Sequence, residues 1–264
     1  MKLIHELYHS VIFALRCASD IFLPRACLTC GRNLYFHEKH LCLYCLADLP
    51  LTHYWDRSHN PMADKLNEQI QKGVADDMDA GGTIPEPLRY SYATALIYYH
   101  DNSPYREILH NIKYNGDITA GRHFGHMFGK HLAASDIYSD VDMIIPVPLH
   151  WSRRWKRGYN QAEEIASGVA AETGVPLRTD ILYRRRRTTT QTKLDIEGKA
   201  RNVAGAFALR KDFIPSDIKP RHILLIDDVF TTGSTLHACY AALREVFPPS
   251  VRISVATLAF VGGT

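Results

Sequence analysis

His222-Ile223-Leu224-Leu225-Ile226-Asp227-Asp228-Val229-Phe230-Thr231-Thr232-Gly233-Ser234-Thr235 is the stretch on which the fold of this chain turns. An unbroken apolar run rich in Ile and Leu marks a strand covered on both faces, as in a parallel sheet with helices above and below. Two carboxylates stand at its carboxyl end, followed by a loop of hydroxyls around one glycine. Beyond the loop, Leu236, Tyr240, Leu243 and Phe247 recur at helical spacing until Pro248-Pro249 stop them. The first turn of a helix leaves N–H groups unpaired and carries partial positive charge, so such a loop suits an anion. Thr231, Thr232, Ser234 and Thr235 add hydroxyl donors, and Gly233 lets the backbone come close to a ligand. Asp227 and Asp228 can accept from sugar hydroxyls or face a hydrated Mg²⁺. A plain strand, turn and N-cap would use the same residue types. A nucleotide-hydrolase metal strand would need a Gly-x4-Gly-Lys-Ser/Thr loop, which the sequence lacks.

A second buried strand is expected from Val141 to Leu149, carrying Pro146-Val147-Pro148, and Ala162, Ile165 and Val169 begin a helix that ends near Gly174. Between them lie Arg153, Arg154, Trp155, Lys156, Arg157, Gly158, Tyr159, Asn160 and Gln161. The planar fork of Arg binds two phosphate oxygens at once and Gly158 permits a tight turn, so this segment reads as a pyrophosphate loop, with a solvated basic turn as the alternative. Residues 184–194, together with Arg201 and Asn202, are basic and poorly periodic and read as a mobile loop. A lid over the ligand, a phosphate-tracking nucleic-acid contact and an ordinary surface loop all remain open there.

Cys27-Leu28-Thr29-Cys30 and Cys42-Leu43-Tyr44-Cys45 form two Cys-x2-Cys pairs, whose spacing suits a tetrahedral Zn²⁺ bound at two knuckles of a small ribbon. Such an ion stabilises a unit too small to bury much core. Disulfides are the alternative, disfavoured because no secretory signal is read at the amino end. His37 and His40 lie between the pairs and read as loop histidines, because four thiolates complete a structural site. Cys17 and Cys239 fall on helical patterns and read as packing residues.

Three segments resemble known families. Acid-acid-Val-x-Thr-Thr-Gly-Ser-Thr at 227–235 resembles the phosphoribosyl pyrophosphate (PRPP) signature of type I phosphoribosyltransferases. Pro-Val-Pro, the spaced arginines and Arg157-Gly158-Tyr159-Asn160-Gln161 resemble ComF-type proteins, a competence-associated branch of that fold. Lys113-Tyr114-Asn115-Gly116-Asp117 is similar to the segment that opens their transferase-like domain. Tyr159 departs from them, standing where many relatives carry Phe.

The resemblance implies an α/β fold, a type I phosphoribosyltransferase-like parallel-rich sheet flanked by helices, with a small N-terminal four-cysteine zinc ribbon. It implies that Thr231, Thr232, Gly233, Ser234 and Thr235 hold the 5-phosphate, while Asp227 and Asp228 hold the ribose hydroxyls and are the catalytic pair if there is turnover. Arg153, Arg154, Arg157, Gly158, Tyr159, Asn160 and Gln161 would face pyrophosphate, and Arg187, Gln191, Arg201 and Asn202 would belong to a flexible loop closing over PRPP. Mg²⁺ would accompany PRPP. The implied function is single-stranded DNA handling during natural transformation, with DNA-uptake proteins as partners. Two alternatives stand beside it, an active phosphoribosyltransferase acting on a nitrogen acceptor and a catalytically silent PRPP sensor; no base-recognition segment is identifiable.

The 264 residues carry a formal charge of +3 and are 46% apolar, which suits one ordinary domain plus a small one and does not by itself indicate DNA binding. The expected division is an amphipathic helix over 1–24, the zinc ribbon over 25–54, a linker or insertion over 55–91 with one short helix at Met62, Leu66 and Ile70, and the transferase-like domain over 92–264. No apolar segment is long enough to span a bilayer, and the expected location is cytoplasmic.

Overall fold

The computed structural model describes residues 25–79, 87–114, 116–185, 205–214 and 218–262. The expected helix over 1–24 and the loop residues Arg187, Gln191, Arg201 and Asn202 lie outside them. Four parallel strands form the central sheet: β1 (Ala93–Tyr98), β2 (Met143–Pro146), β5 (His222–Phe230) and β6 (Arg252–Phe260), in the spatial order β1-β6-β5-β2. A separate antiparallel ribbon pairs β3 (Leu182–Arg184) with β4 (Phe207–Leu209). The helices are α1 (Leu43–Ala47), α2 (Pro61–Asp79), α3 (Arg106–Tyr114), α4 (Ile118–Ala133), α5 (Trp151–Arg157), α6 (Gln161–Thr173) and α7 (Ser234–Arg244).

The apolar run of β5 is buried on both faces because alternate side chains serve different cores. Ile223 and Leu225 pack with Met62, Leu66 and Ile70 of α2 and Leu236 and Leu243 of α7. Leu224 and Ile226 pack with Ile108 of α3, Phe124 and Phe128 of α4, and Ile165 and Val169 of α6. Asp227 still pairs in register with Thr257, so both carboxylates stand within the last four residues of the strand, at its carboxyl end as expected.

The structure departs from the sequence reading at α2, which runs for 19 residues through Gly73 into the acidic stretch. The start signals are conventional: Asn60 Oδ1 accepts from the N–H groups of Met62 at 3.1 Å and Ala63 at 3.0 Å, and Pro61 takes the first helical position. Arg184 also differs from its expected place. It is the end of β3, paired with Phe207 and with its guanidinium over that ring at 5.1 Å, rather than the start of a loop.

The cysteine unit packs directly on the sheet. Tyr98 N–H donates to the Pro50 carbonyl at 2.8 Å and Thr52 N–H to that of Leu96 at 3.1 Å, so residues 50–52 cover the open edge of β1. Tyr105, just before α3, donates from its hydroxyl to the Cys45 carbonyl at 3.0 Å.

Several histidines are held below their ordinary pKa by burial. Burial and then the charge of nearby His40 bring His123 of α4 down to about 4; burial also lowers His222, against the pull of Asp140, whose carboxylate lies 2.6 Å from its Nδ1. The unfolded chain therefore binds more protons below its histidine value of about 6.5, and this part of the stability is present above that pH and is lost as pH falls towards the folded values. Urea midpoints measured from pH 7.5 to 5 should fall, and His123→Gln should flatten the slope; a midpoint independent of pH over that window would contradict this burial.

Candidate phosphate-binding cleft and four-cysteine centre

The cleft forms where β5 and its neighbour β2 both end. Pro146 is paired with Ile226, so the chains leaving the two strands start side by side. After β2, His150 caps α5 by accepting from Ser152 N–H at 3.3 Å, and Gly158, at φ +82°, closes the helix in a conformation that a side chain would strain. The basic segment is thus a short helix and turn. Tyr159 is buried and donates its hydroxyl to the Ile112 carbonyl, while Asn160 Nδ2 donates to the Val147 carbonyl at 3.0 Å, fastening the turn to α3 and to the strand end.

After β5, the hydroxyl loop is held from behind by α2. Lys65 Nζ donates to the Thr231 carbonyl at 2.9 Å, and Gln69 Nε2 donates to that of Thr232. In a trans peptide the N–H points opposite to its carbonyl, so the amides of Thr232 and Gly233 are turned away from α2. Gly233 has φ +83°, and a Cβ there would lie 2.7 Å from Phe230 Cζ. Only glycine fits both the dihedral and the space.

Between these walls is a cleft of about 1090 Å³. Asp227, Asp228, Thr231 and Thr235 line one side, and Arg153, Arg157, Tyr159, Asn160 and Gln161 the other. Thr232, Gly233, Ser234, Arg154 and Gly158 are not among the lining residues. Thr232 and Ser234 share a hydroxyl contact of 3.0 Å, and Arg154 pairs with Glu163 at 3.2 Å. Three lining cations stand outside the candidate set drawn from sequence: Lys113, Lys156 and Arg184. Lys113 Nζ lies 3.2 Å from Asp228 Oδ1. Its place in the Lys113–Asp117 segment is the signal that the sequence carries.

Electrostatics favour an anionic guest. Five cations face two carboxylates across a site partly screened from water. Burial, and then the charge of Asp228 alongside, push the Asp227 carboxyl up to about 7, against the opposing pull of Lys113 and Arg184. Asp227 therefore begins to titrate near neutrality, and a bound cation would hold it ionised.

At the other end of α3, the four thiols of Cys27, Cys30, Cys42 and Cys45 converge, all within 4.8 Å of one another. Cys30 and Cys42 sulfurs are 3.7 Å apart, and all four cysteines are free of disulfides. Tetrahedral sulfurs at a Zn–S distance of about 2.3 Å lie about 3.8 Å from each other, so the spacing fits a metal and excludes S–S bonds in this arrangement. Burial pushes the Cys27 thiol up, but N–H groups of Cys30, Cys42 and Thr29 directed at it outweigh this and bring it down to about 7. Such N–H···S contacts are what a knuckle provides. The expected ribbon hairpin is reduced to single bridges, Ala26 with Asn33 and Lys39 with Leu41. His40 turns to Asp117 at 3.4 Å and stays out of the thiol cluster.

No family model matches the sequence. Competence protein F of Haemophilus influenzae is 34% identical over 237 residues, which is 88% of this chain and 96% of that protein. DNA utilization protein YhgH of Salmonella typhi is 38% identical over 96 residues, 36% of this chain and 40% of its own length, and Competence protein ComFC of Bacillus subtilis is 28% identical over 56% of both. Among solved structures, the hypoxanthine-guanine phosphoribosyl transferase of L. donovani overlays 54% of this chain and 67% of its own, at 16% identity and a TM-score of 0.30. With its four-cysteine unit and its parallel-rich sheet, and with a relative matched at 34% identity over nearly that protein's full length, the chain belongs to the ComF family.

Proposed function

We propose that the cleft binds PRPP together with Mg²⁺, and that the protein serves in the handling of single-stranded DNA during natural transformation. One observation carries the ligand half: the acid pair and hydroxyl loop after β5 face the arginine-bearing turn after β2, at the carboxyl ends of neighbouring parallel strands. Thr231 and Thr235, the members of the hydroxyl loop that line the cleft, take the 5-phosphate. Asp227 and Asp228 take the ribose hydroxyls and face the cation, and Arg153, Arg157 and Arg184 neutralise pyrophosphate. Support for the DNA half comes from the relatives, which are named for competence and for DNA utilization. Cys27, Cys30, Cys42 and Cys45 hold a structural Zn²⁺, since four thiolates leave no open coordination position.

Titration calorimetry with PRPP and Mg²⁺ tests the ligand half. Asp228→Asn removes charge-assisted hydrogen bonds worth about 1.5–3 kcal/mol, so its affinity should fall by about 10- to 100-fold with the fold intact. In the unmodified protein, affinity should rise between pH 6 and 8, because protonated Asp227 has to lose its proton to accept from hydroxyls and face a cation. Absence of heat and of thermal shift at millimolar PRPP would refute the reading. Pyrophosphate release on adding candidate amines would move the assignment to an active transferase.

A further inference from the structure

The chain has three tryptophans. Trp55 is 3% exposed and stacks on His131 with ring centres 4.2 Å apart, whereas Trp151 and Trp155, both on α5, are 73% and 88% exposed. Four residues apart on a helix, the two indoles share one face and are separated by an axial rise of about 6 Å. Helix α5 buries none of its residues, so neither ring is there to fill the core. The positions around them are Ser152, Arg153, Arg154, Lys156 and Arg157, with no acid in the helix. Tyr114, 66% exposed, adds a third ring, under the Arg157 guanidinium at 5.4 Å.

We infer that this face of α5, with Trp151 and Trp155 as its rings, is a base-stacking platform for single-stranded nucleic acid at the mouth of the phosphate cleft. Indole faces accept any base, and interleaved cations follow the phosphate backbone; the two together are the recognition chemistry of sequence-tolerant single-strand binders. The rise between the indoles is close to two nucleotide steps of about 3.4 Å. A protein partner would favour aromatic anchors in surroundings depleted of lysine and acid, yet here Lys156 sits beside Trp155. A seven-residue helix is too short to present the broad apolar face that a membrane-surface helix buries. The inference extends the DNA half of the proposed function and does not depend on PRPP.

Intrinsic fluorescence reads the platform directly, because Trp55 is shielded and the exposed pair dominates quenching by added solute. Titrating the full-length protein with a 20-nucleotide oligo-dT at low salt should quench the emission, and raising the salt should reverse it. Trp155→Ala should weaken binding about tenfold, and Trp151→Ala with Trp155→Ala more strongly, while calorimetric PRPP binding stays as in the parent. Three results overturn the inference: no oligo-dT binding, binding without quenching and unaffected by Trp155→Ala, or a blue shift with anionic vesicles in place of quenching by oligo-dT. Quenching that persists in a protein giving no heat with PRPP would discard the ligand reading and keep the platform.

Discussion

Removing the proposed zinc from Cys27, Cys30, Cys42 and Cys45 should lower the melting temperature by about 10 °C or more. Structural zinc sites bind with apparent free energies of about 10–16 kcal/mol in small domains, and that free energy is folding free energy. Each kcal/mol shifts the melting temperature of a chain this size by about 2–4 °C, so only part of it need be felt for the drop to be large. Cys27 and Cys42 are buried at 3% and 1% exposure, and their neighbours Leu41 and Leu49 pack in the same core as Leu96, Tyr105 and Phe124. Collapse of the unit therefore withdraws apolar contacts from α3 and α4 and bares the edge of β1. Elemental analysis should find one zinc ion per chain, and Cys42→Ser should lose it together with the melting temperature. A metal-free protein melting at the same temperature would refute the structural role.

Gly168→Val should be strongly damaging to the helical layer. A Cβ at this position of α6 would lie 2.5 Å from the Arg122 carbonyl oxygen, 2.6 Å from the His126 nitrogen and 2.7 Å from the Gly125 carbonyl carbon of α4. These are backbone atoms, so no rotamer change relieves the clash and the helices must part. Overpacking of this kind costs about 1–3 kcal/mol and occasionally more, which corresponds to a fall of about 2–12 °C. The site follows, because α6 begins beside Asn160 and Gln161 and its separation from α4 loosens the turn that faces Asp227. Gly73→Ala in α2 is the contrasting case: the added carbon meets only the His237 ring at 3.4 Å, and helix propensity should raise stability by about 0.5–1 kcal/mol. Thermal melts of the two variants moving in the same direction would contradict the packing.

Much of the site was legible because its chemistry is local. The apolar run, the acids and the hydroxyls around Gly233 are contiguous, and each Cys-x2-Cys pair closes its own turn. What escaped is non-local. Lys65 and Gln69 reach Thr231 and Thr232 from a helix whose sequence looks polar because its outward face meets another loop rather than a core. Gly73 and the acids after it suggest a break, but the stripe of Met62, Leu66 and Ile70 against β5 is enough to hold the helix through them. Lys113 was noticed as part of a motif, yet its pairing with Asp228 joins segments that only the sheet brings together. Arg184 reads as loop because basic residues follow it, whereas its guanidinium lies over the Phe207 ring at the end of β3.

The cover over β1 also has a temporal side. Among the described residues the sheet pairs β1 with β6 alone, and Ala93 has to wait for Val255. At ribosomal speeds of about 5–20 residues per second, that wait is on the order of ten seconds. During it, an apolar strand without its sheet neighbour is open to association with other chains. Residues 50–52, translated earlier and anchored by the cysteine unit, bond to this strand from its other side. Metal capture early in synthesis would thus act as a chaperone in cis, and in zinc-starved cells aggregation should begin on nascent chains rather than on the finished protein.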